Sequence, residues 1–252
     1  MAKIVFLGTG GWISSVERNE VSILLRVSKN CYLFDAGEAT FKQLQKARIN
    51  FKDIKVIFIT HSHGDHILGI PSIILYQAIS LKHKIKVFYP KKIESDIRNL
   101  LRYIPSKLIK NVKFCPFYVK EIEVKVYEDE HILVFCTRSR HTSFSVSYKV
   151  VLKRERRTIV YSGDTAPFEN FIKFGRNVDV FIHEASLSNK YKALSFKVGH
   201  STVNQAILVG LKCKAKKLIL IHLGKQKIRK RKFKVKGISV LIPSDLEVMD
   251  VD

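Results

Sequence analysis

Three imidazoles and one carboxylate stand within six consecutive residues, His61-Ser62-His63-Gly64-Asp65-His66, directly after Thr60 and the apolar run Val56-Ile57-Phe58-Ile59. Imidazole nitrogen and carboxylate oxygen are the donors that hold zinc and similar divalent ions. A buried strand that ends in such a cluster aims several donors at one point. The plain counterpart is a polar loop that happens to be His-rich. With nine His in 252 residues, four ligand types at this spacing are hard to ascribe to chance. The pattern of apolar strand followed by ligand recurs: Asp164 after Ile159-Val160-Tyr161-Ser162-Gly163, His183-Glu184 after Val178 to Ile182, His222 after Leu218-Ile219-Leu220-Ile221, and His141 beyond the strand through Cys136. Singly, an Asp after a Gly marks a turn and a His after a strand is merely exposed. Jointly they describe a site built on strand ends.

The elements that must position these residues alternate between β-rich and helical runs. Strands are predicted at Lys3–Leu7, Val21–Val27, Cys31–Phe34, Lys55–Thr60, Lys86–Tyr89, Lys113–Phe117, Glu123–Tyr127, Ile132–Cys136, Ser145–Leu152, Thr158–Tyr161, Val178–His183, Lys217–Ile221 and from Lys234 onward. Helices are predicted at Ala39–Arg48, Ile67–Leu81, Ile93–Tyr103, Phe168–Phe174 and Thr202–Leu211. Two β-rich stretches, each with helices, imply an α/β fold of four layers, an αβ/βα sandwich. No long Pro/Gly/Ser linker interrupts the sequence, so residues 1–252 are read as a single domain, either one large unit or one made of two similar halves.

Composition narrows the setting. A net charge of +23 concentrates polyanions at the surface and makes nucleic acid the first partner to consider. A lysine-rich, solvated basic surface is the competing explanation. Cys31, Cys115, Cys136 and Cys213 form no Cys-x-x-Cys pair, which argues against a structural zinc site or disulfide framework and fits a reducing compartment. The apolar run at the N-terminus is too short for a signal peptide, and no stretch reaches the roughly 18 apolar residues of a membrane span. A soluble, cytoplasmic protein without membrane contact is expected.

The cluster at 61–66 resembles the H-x-H-x-D-H signature of the metallo-β-lactamase superfamily. Within it, the chain is similar to the tRNA 3′-end-processing endonucleases of the ribonuclease Z family, from Phe6 to Val251. Phe6-Leu7-Gly8-Thr9-Gly10-Gly11 resembles the family's opening strand and turn. Arg18-Asn19 with Ser22 resembles R-N-x-x-S, and Asp35 to Thr40 resembles D-x-G-E-x-T. Ser162-Gly163-Asp164-Thr165 is similar to the G-D-T motif, His183-Glu184-Ala185-Ser186 to H-E-A-T, and Gly199-His200-Ser201-Thr202 to H-S-T.

That resemblance implies a metallo-β-lactamase sandwich holding two divalent ions, zinc first, with manganese or iron as alternatives. His61, His63 and His141 would hold one ion, Asp65, His66 and His222 the other, and Asp164 would bridge them. Two such ions clamp a phosphate for in-line attack by a water that they activate. His200 would contact the scissile phosphate, Glu184 would orient His200, and Asp65 would serve as a base. His183, on the opposite side of its strand by alternation, is read as structural. The implied activity is endoribonucleolytic removal of 3′ trailers from precursor tRNA by a homodimer.

Two departures bear on the substrate. Many members carry a long tRNA-gripping arm between the third-motif His and the G-D-T Asp, whereas Thr142 to Gly163 leaves room for a hairpin only. After His222, where the family has a Ser-rich stretch with Arg-Tyr, this chain has Leu223-Gly224-Lys225-Gln226-Lys227, opening a basic run from 225 to 236. That run is a candidate phosphate contact or a solvated basic element. Two alternatives therefore stand beside tRNA processing. One is a metallo-β-lactamase-fold phosphodiesterase acting on another nucleic acid or a small phosphodiester. The other is a non-catalytic nucleic-acid-binding protein.

Overall fold

A computed structural model describes residues 1–81, 84–119, 122–224 and 231–251. The chain divides into two compact units, Met1–Tyr118 with Ser244–Asp250, and Val119–Pro243 with Val251–Asp252. The strands are β1 Ala2–Gly8, β2 Ser22–Val27, β3 Asn30–Phe34, β4 Ile54–Phe58, β5 Ile85–Pro90, β6 Val112–Phe117, β7 Val124–Glu128, β8 Ile132–Arg138, β9 Val146–Leu152, β10 Arg157–Tyr161, β11 Val180–Glu184, β12 Lys217–Ile221, β13 Lys232–Val235, β14 Ile238–Leu241 and β15 Val248–Val251. The α-helices are α1 Thr40–Lys46, α2 Gly64–Ile67, α3 Ile70–Tyr76, α4 Glu94–Leu100, α5 Ser106–Ile109, α6 Glu169–Phe174, α7 Ser195–Val198 and α8 Val203–Lys212. Among the described residues no helix is long and apolar enough to cross a membrane.

The first unit is a seven-stranded sheet in the order β15-β1-β2-β3-β4-β5-β6. Strands β3 to β6 run parallel. One face, through Val5, Leu7, Leu24, Leu33, Ile57 and Val87, packs on Leu44, Ile70, Ile73, Ile74 and Ile97 of the helices. Residues of the other face, such as Phe6, Tyr32 and Phe58, are buried as well. A sheet covered on both faces explains why these strands read as unbroken apolar runs rather than alternating ones.

The helix predicted over Ile67–Leu81 is broken. It consists of α2, then α3, then a π-helical turn over Gln77–Leu81. The Gly69-Ile70-Pro71 sequence accounts for the break. Pro71 sits in the first turn of α3, where its missing N–H costs nothing. A Cβ at position 69 would lie 2.3 Å from the Gly37 carbonyl oxygen, and the Gly69 N–H donates to Ala36 O. Only glycine allows that approach.

The second unit is an eight-stranded sheet, β13-β14-β12-β11-β10-β9-β8-β7. Four neighbouring strands, β10, β11, β12 and β14, run parallel. Its core joins Val160, Phe181, Leu218, Leu220 and Val240 to Phe171 and Phe174 of α6 and Ala206 and Val209 of α8. The segment from 142 to 163 is the β9–β10 hairpin and its flanks, closed by a tight turn with Arg156 in left-handed conformation. The long arm of the family is absent there, as the sequence predicts. Among the described residues, strand β13 lies at the sheet edge and pairs with β14 alone, and its Lys232 and Lys234 are exposed. Edge lysines discourage pairing with foreign strands, so part of the 225–236 basic run has a structural reason. Residues 225–230 of that run lie outside the described residues.

Candidate metal centre

In the first unit the donors are set by one strand end and one helix turn. Strand β4 ends at Phe58, Thr60 and His61 are fully buried, and His63 is the N-cap of α2, which carries Asp65 and His66 in its single turn. Parallel pairing of β3 with β4 sets Phe34 beside Phe58, which places Asp35 at the same edge. Asp35 Oδ1 accepts the Thr60 N–H at 2.8 Å. Its Oδ2 accepts the Thr60 hydroxyl at 2.8 Å and faces His66 Nδ1 at 2.8 Å. His66 Nδ1 therefore carries the proton and leaves the Nε2 lone pair for a ligand role. Because the Thr60 hydroxyl gives its proton to Asp35, it accepts from His61 Nδ1, 3.0 Å away. That leaves His61 Nε2 as a lone pair. His63 Nδ1 lies 3.1 Å from it. Two nitrogens bound to one tetrahedral zinc at about 2.0–2.1 Å are separated by roughly 3.3 Å. The residues present thus fit a divalent cation. Asp65 Oδ2 and His66 Nε2 are 3.7 Å apart, both buried.

Asp35 has no role in the sequence reading beyond its place in a motif. Its signal was the same one that marked the others, a polar residue at the end of an apolar strand. It also adopts φ 55°, as does His222. Non-glycine residues with positive φ are strained and gather at sites that over-determine them.

In the second unit the donors come from the C-terminal ends of adjacent parallel strands. Tyr161 of β10 pairs with Ile182 of β11, which pairs with Ile219 of β12. Asp164, Glu184 and His222 therefore emerge side by side, the edge at which open α/β sheets place ligands. Asp164 Oδ1 lies 3.3 Å from His222 Nε2, and its Oδ2 lies 3.8 Å from His141 Nε2. One carboxylate thus turns a different oxygen to each of two imidazoles.

Backbone contacts hold this arrangement. The Arg140 N–H donates to Thr165 Oγ1 at 3.0 Å and the Ala166 N–H donates to Arg140 O at 2.9 Å, tying the His141 loop to the Asp164 loop. His141 Nδ1 donates to Gly199 O at 3.1 Å, which directs Nε2 toward Asp164. Gly199 has φ 71°, and a Cβ there would meet His141 Cα at 2.6 Å. Glycine is needed at this position on both counts.

Glu184 is fully occupied as an acceptor. Its Oε1 receives the Thr165 N–H at 3.2 Å, the Ser201 N–H at 3.0 Å and His200 Nδ1 at 2.9 Å. Its Oε2 receives the Ser186 N–H at 2.9 Å and the Ser186 hydroxyl at 3.0 Å. Glu184, His200 and His222 offer ligand atoms within 4.8 Å of one another, but the carboxylate has spent its lone pairs on five donors. It holds His200 rather than a metal. Thr202 caps α8 through a capping box with Gln205, so His200 is fixed two residues before a helix start. The His200 side chain is 18% exposed. His183 is buried against Phe171 and Phe181. Burial pushes its pKa down, and its Nδ1 donates to Glu184 O. It is a neutral core histidine, as its position in the strand predicts.

The family model described as Anti-Pycsar protein Apyc1 matches residues 2–240. The chain is 31% identical to the Ribonuclease Z of Picrophilus torridus over 87% of this chain and 85% of that one. It is 30% identical to the Ribonuclease Z of Pyrococcus horikoshii over 100% of this chain and 97% of that one. The latter alignment spans 307 positions against the 252 residues here, so the relative carries segments this chain lacks. Among solved structures, human tRNase Z, short form, matches with TM-score 0.83 and 26% identity over 99% of both chains. The metallo-β-lactamase fold protein YhfI from Bacillus subtilis matches with TM-score 0.81 and 16% identity over 99% of this chain and 100% of that one, a likeness of fold. The α/β fold expected from the sequence is the metallo-β-lactamase fold.

Proposed function

This chain belongs to the ribonuclease Z family and, over residues 2–240, to the family described as Anti-Pycsar protein Apyc1, and from that premise we propose that it is a two-metal phosphodiesterase that removes 3′ trailers from precursor tRNA. The observation that carries this reading is Asp164, with one oxygen toward His222 and the other toward His141. That is the geometry a bridging ligand needs. In this reading residues 1–252 act as one domain, and the donors of its two halves serve one site. His61, His63 and His141 hold one divalent ion, Asp65, His66 and His222 hold the second, and Asp164 serves both. When bound, two such ions place positive charge on the phosphate oxygens and acidify water.

The remaining steps belong to side chains. Asp65 receives the proton of the attacking water. As the new P–O bond forms, the bond to the 3′ oxygen of the tRNA breaks. His200 Nε2 gives that oxygen its proton, leaving a 3′ hydroxyl on the tRNA and a 5′ phosphate on the trailer. Glu184 keeps the His200 ring in place through Nδ1. The net charge of +23 supports an RNA substrate. Four free thiols support a reducing, cytoplasmic setting. Zinc suits the His-rich donor set, with manganese or iron as the other occupants, and the working form is a homodimer.

The test is cleavage of a 3′-extended precursor tRNA with Zn²⁺ or Mn²⁺. One product ending in a 3′ hydroxyl is expected; no product would sink the tRNA reading. The short β9–β10 hairpin favours a second reading, a phosphodiesterase for another nucleic acid or a small phosphodiester. Hydrolysis of bis-p-nitrophenyl phosphate without tRNA cleavage selects it. Purified protein that retains no metal and cuts neither substrate selects a non-catalytic nucleic-acid-binding protein.

A further inference from the structure

The chain has a single tryptophan, Trp12, and it stands in the open. It is 63% exposed, and two further apolar residues of the same loop, Ile13 and Val16, are 71% and 99% exposed. An isolated exposed apolar side chain is ordinary, but three within five residues call for a reason.

The loop carrying them is anchored rather than loose. Gly10 bridges to Glu20, and the Gly10 N–H donates to Asn19 O at 2.8 Å. Asp245 accepts from the Thr9 N–H, the Thr9 hydroxyl, the Asn19 N–H and the Asn19 amide. Arg18 donates to the Thr9 hydroxyl, and the Ser15 hydroxyl accepts the Glu17 and Arg18 N–H groups. These bonds fix the base of the loop. At its tip the Trp12 ring meets the His63 ring at 5.0 Å between centroids and 73° between planes. An indole held against one imidazole, with most of its surface facing water, is a flat apolar plate beside a candidate metal ligand.

We propose that Trp12 is a stacking platform for an unpaired nucleobase of the substrate, next to the phosphate being cut. The inference rests on the phosphodiesterase reading and names which group of the substrate the protein grips. The chemistry favours a base over an apolar protein segment. The chain as a whole carries a net charge of +23, and an RNA strand presents a π face and a negative phosphate a few ångströms apart. Aromatic stacking accepts any base, so the platform confers grip on single-stranded ends rather than sequence choice. It also offers a contact near the reaction centre in a chain that lacks the long arm.

Because Trp12 is the only tryptophan, its fluorescence reports on this contact alone. The experiment uses full-length, metal-loaded His200→Ala protein, so that RNA is bound without being consumed. An unlabelled eight-nucleotide single-stranded RNA is titrated while tryptophan emission is read, and binding is followed in parallel by anisotropy of the same RNA carrying a dye. Inorganic tripolyphosphate serves as the polyanion without a base. RNA is expected to quench the emission over the concentration range in which anisotropy rises, and tripolyphosphate is expected to leave it unchanged. Trp12→Ala should weaken RNA binding about 5- to 150-fold, and Trp12→Phe should recover most of it. RNA binding without quenching, or equal quenching by tripolyphosphate, overturns the platform. If wild-type protein still cuts RNA in that case, the functional reading survives; if RNA is neither bound nor cut, both fall.

Discussion

The two units build their donors in opposite ways. In the first, His61, His63, Asp65 and His66 are neighbours in sequence, and the end of β4 with one turn of α2 fixes their geometry. In the second, His141, Asp164, Glu184, His200 and His222 are scattered; Asp164, Glu184 and His222 meet because β10, β11 and β12 lie side by side in parallel, and loop bonds bring His141 to Gly199 and His200 to Glu184. A local set depends on a few backbone dihedrals. A dispersed set depends on sheet order and register, so it exists only once the whole unit has folded. Both sets share one device: the ring nitrogen not aimed at the centre is held by an oxygen, from Thr60 and Asp35 in the first case and Gly199 in the second.

The largest expected effect tests whether these two sets serve one site. His63→Ala and Asp164→Ala lie in different units, yet each should lower phosphodiester cleavage beyond about 10⁵-fold, because the ions supply much of the rate acceleration. Metal analysis of the purified variants should show less than the wild-type content in both. Full wild-type metal content in Asp164→Ala would break the comparison, leaving two independent clusters. Chelation of the wild-type protein should reproduce the loss, and added Zn²⁺ or Mn²⁺ should restore it.

The same contrast explains what the sequence could reveal. The local cluster announces itself, because its spacing is its geometry. Asp164, Glu184 and His222 were legible as polar residues after apolar strands, and the structure sets them at strand ends; His141 lies in the loop beyond β8, and His200, in a loop before α8, was legible only through the H-S-T resemblance. What binds them together was not legible. The Asp35–His66 contact requires the β3–β4 register, and the Gly199 carbonyl reaches His141 across 58 positions. The strand pattern yielded the α/β class, since short apolar runs rich in Val and Ile, bounded by turn residues, mark buried strands. The break at Gly69-Ile70-Pro71 was missed because periodicity carries through it, while the close approach of Gly37 that requires the glycine is tertiary.

Smaller effects sharpen the comparison. His200→Ala should leave both ions in place and slow turnover about 10²–10⁴-fold, the reach of a proton donor or oxyanion contact. Metal loss in this variant would make His200 a ligand instead. Asp35→Asn keeps the shape but weakens the partner of His66 Nδ1, and should cost about 10–100-fold in metal affinity. A titration with a competing chelator measures it, and an unchanged affinity would mean that Thr60 alone orients the two rings.

The smallest expected effect on catalysis lies at the opposite ends of the same three strands. Asp179 accepts the Thr158 N–H at 2.8 Å and the Lys216 ammonium at 2.7 Å, joining the starts of β10, β11 and β12. Burial raises its pKa, but the bonds to Lys216 and Thr158 outweigh that, and the net shift is downward. A carboxylate with a depressed folded pKa stabilises the fold above its unfolded pKa of about 3.9, and that stability is lost as pH falls through the folded value. With Lys216 largely exposed, the charge contribution is modest. Asp179→Asn should therefore cost about 1–2 kcal/mol in urea unfolding of chelated protein at pH 7. The difference from wild type should shrink as both are acidified below about pH 3.9, where the wild-type carboxyl begins to protonate. Metal content and turnover at pH 7 should not change. A constant difference across pH would mean that geometry at the strand starts, and not charge, holds the three strands in register.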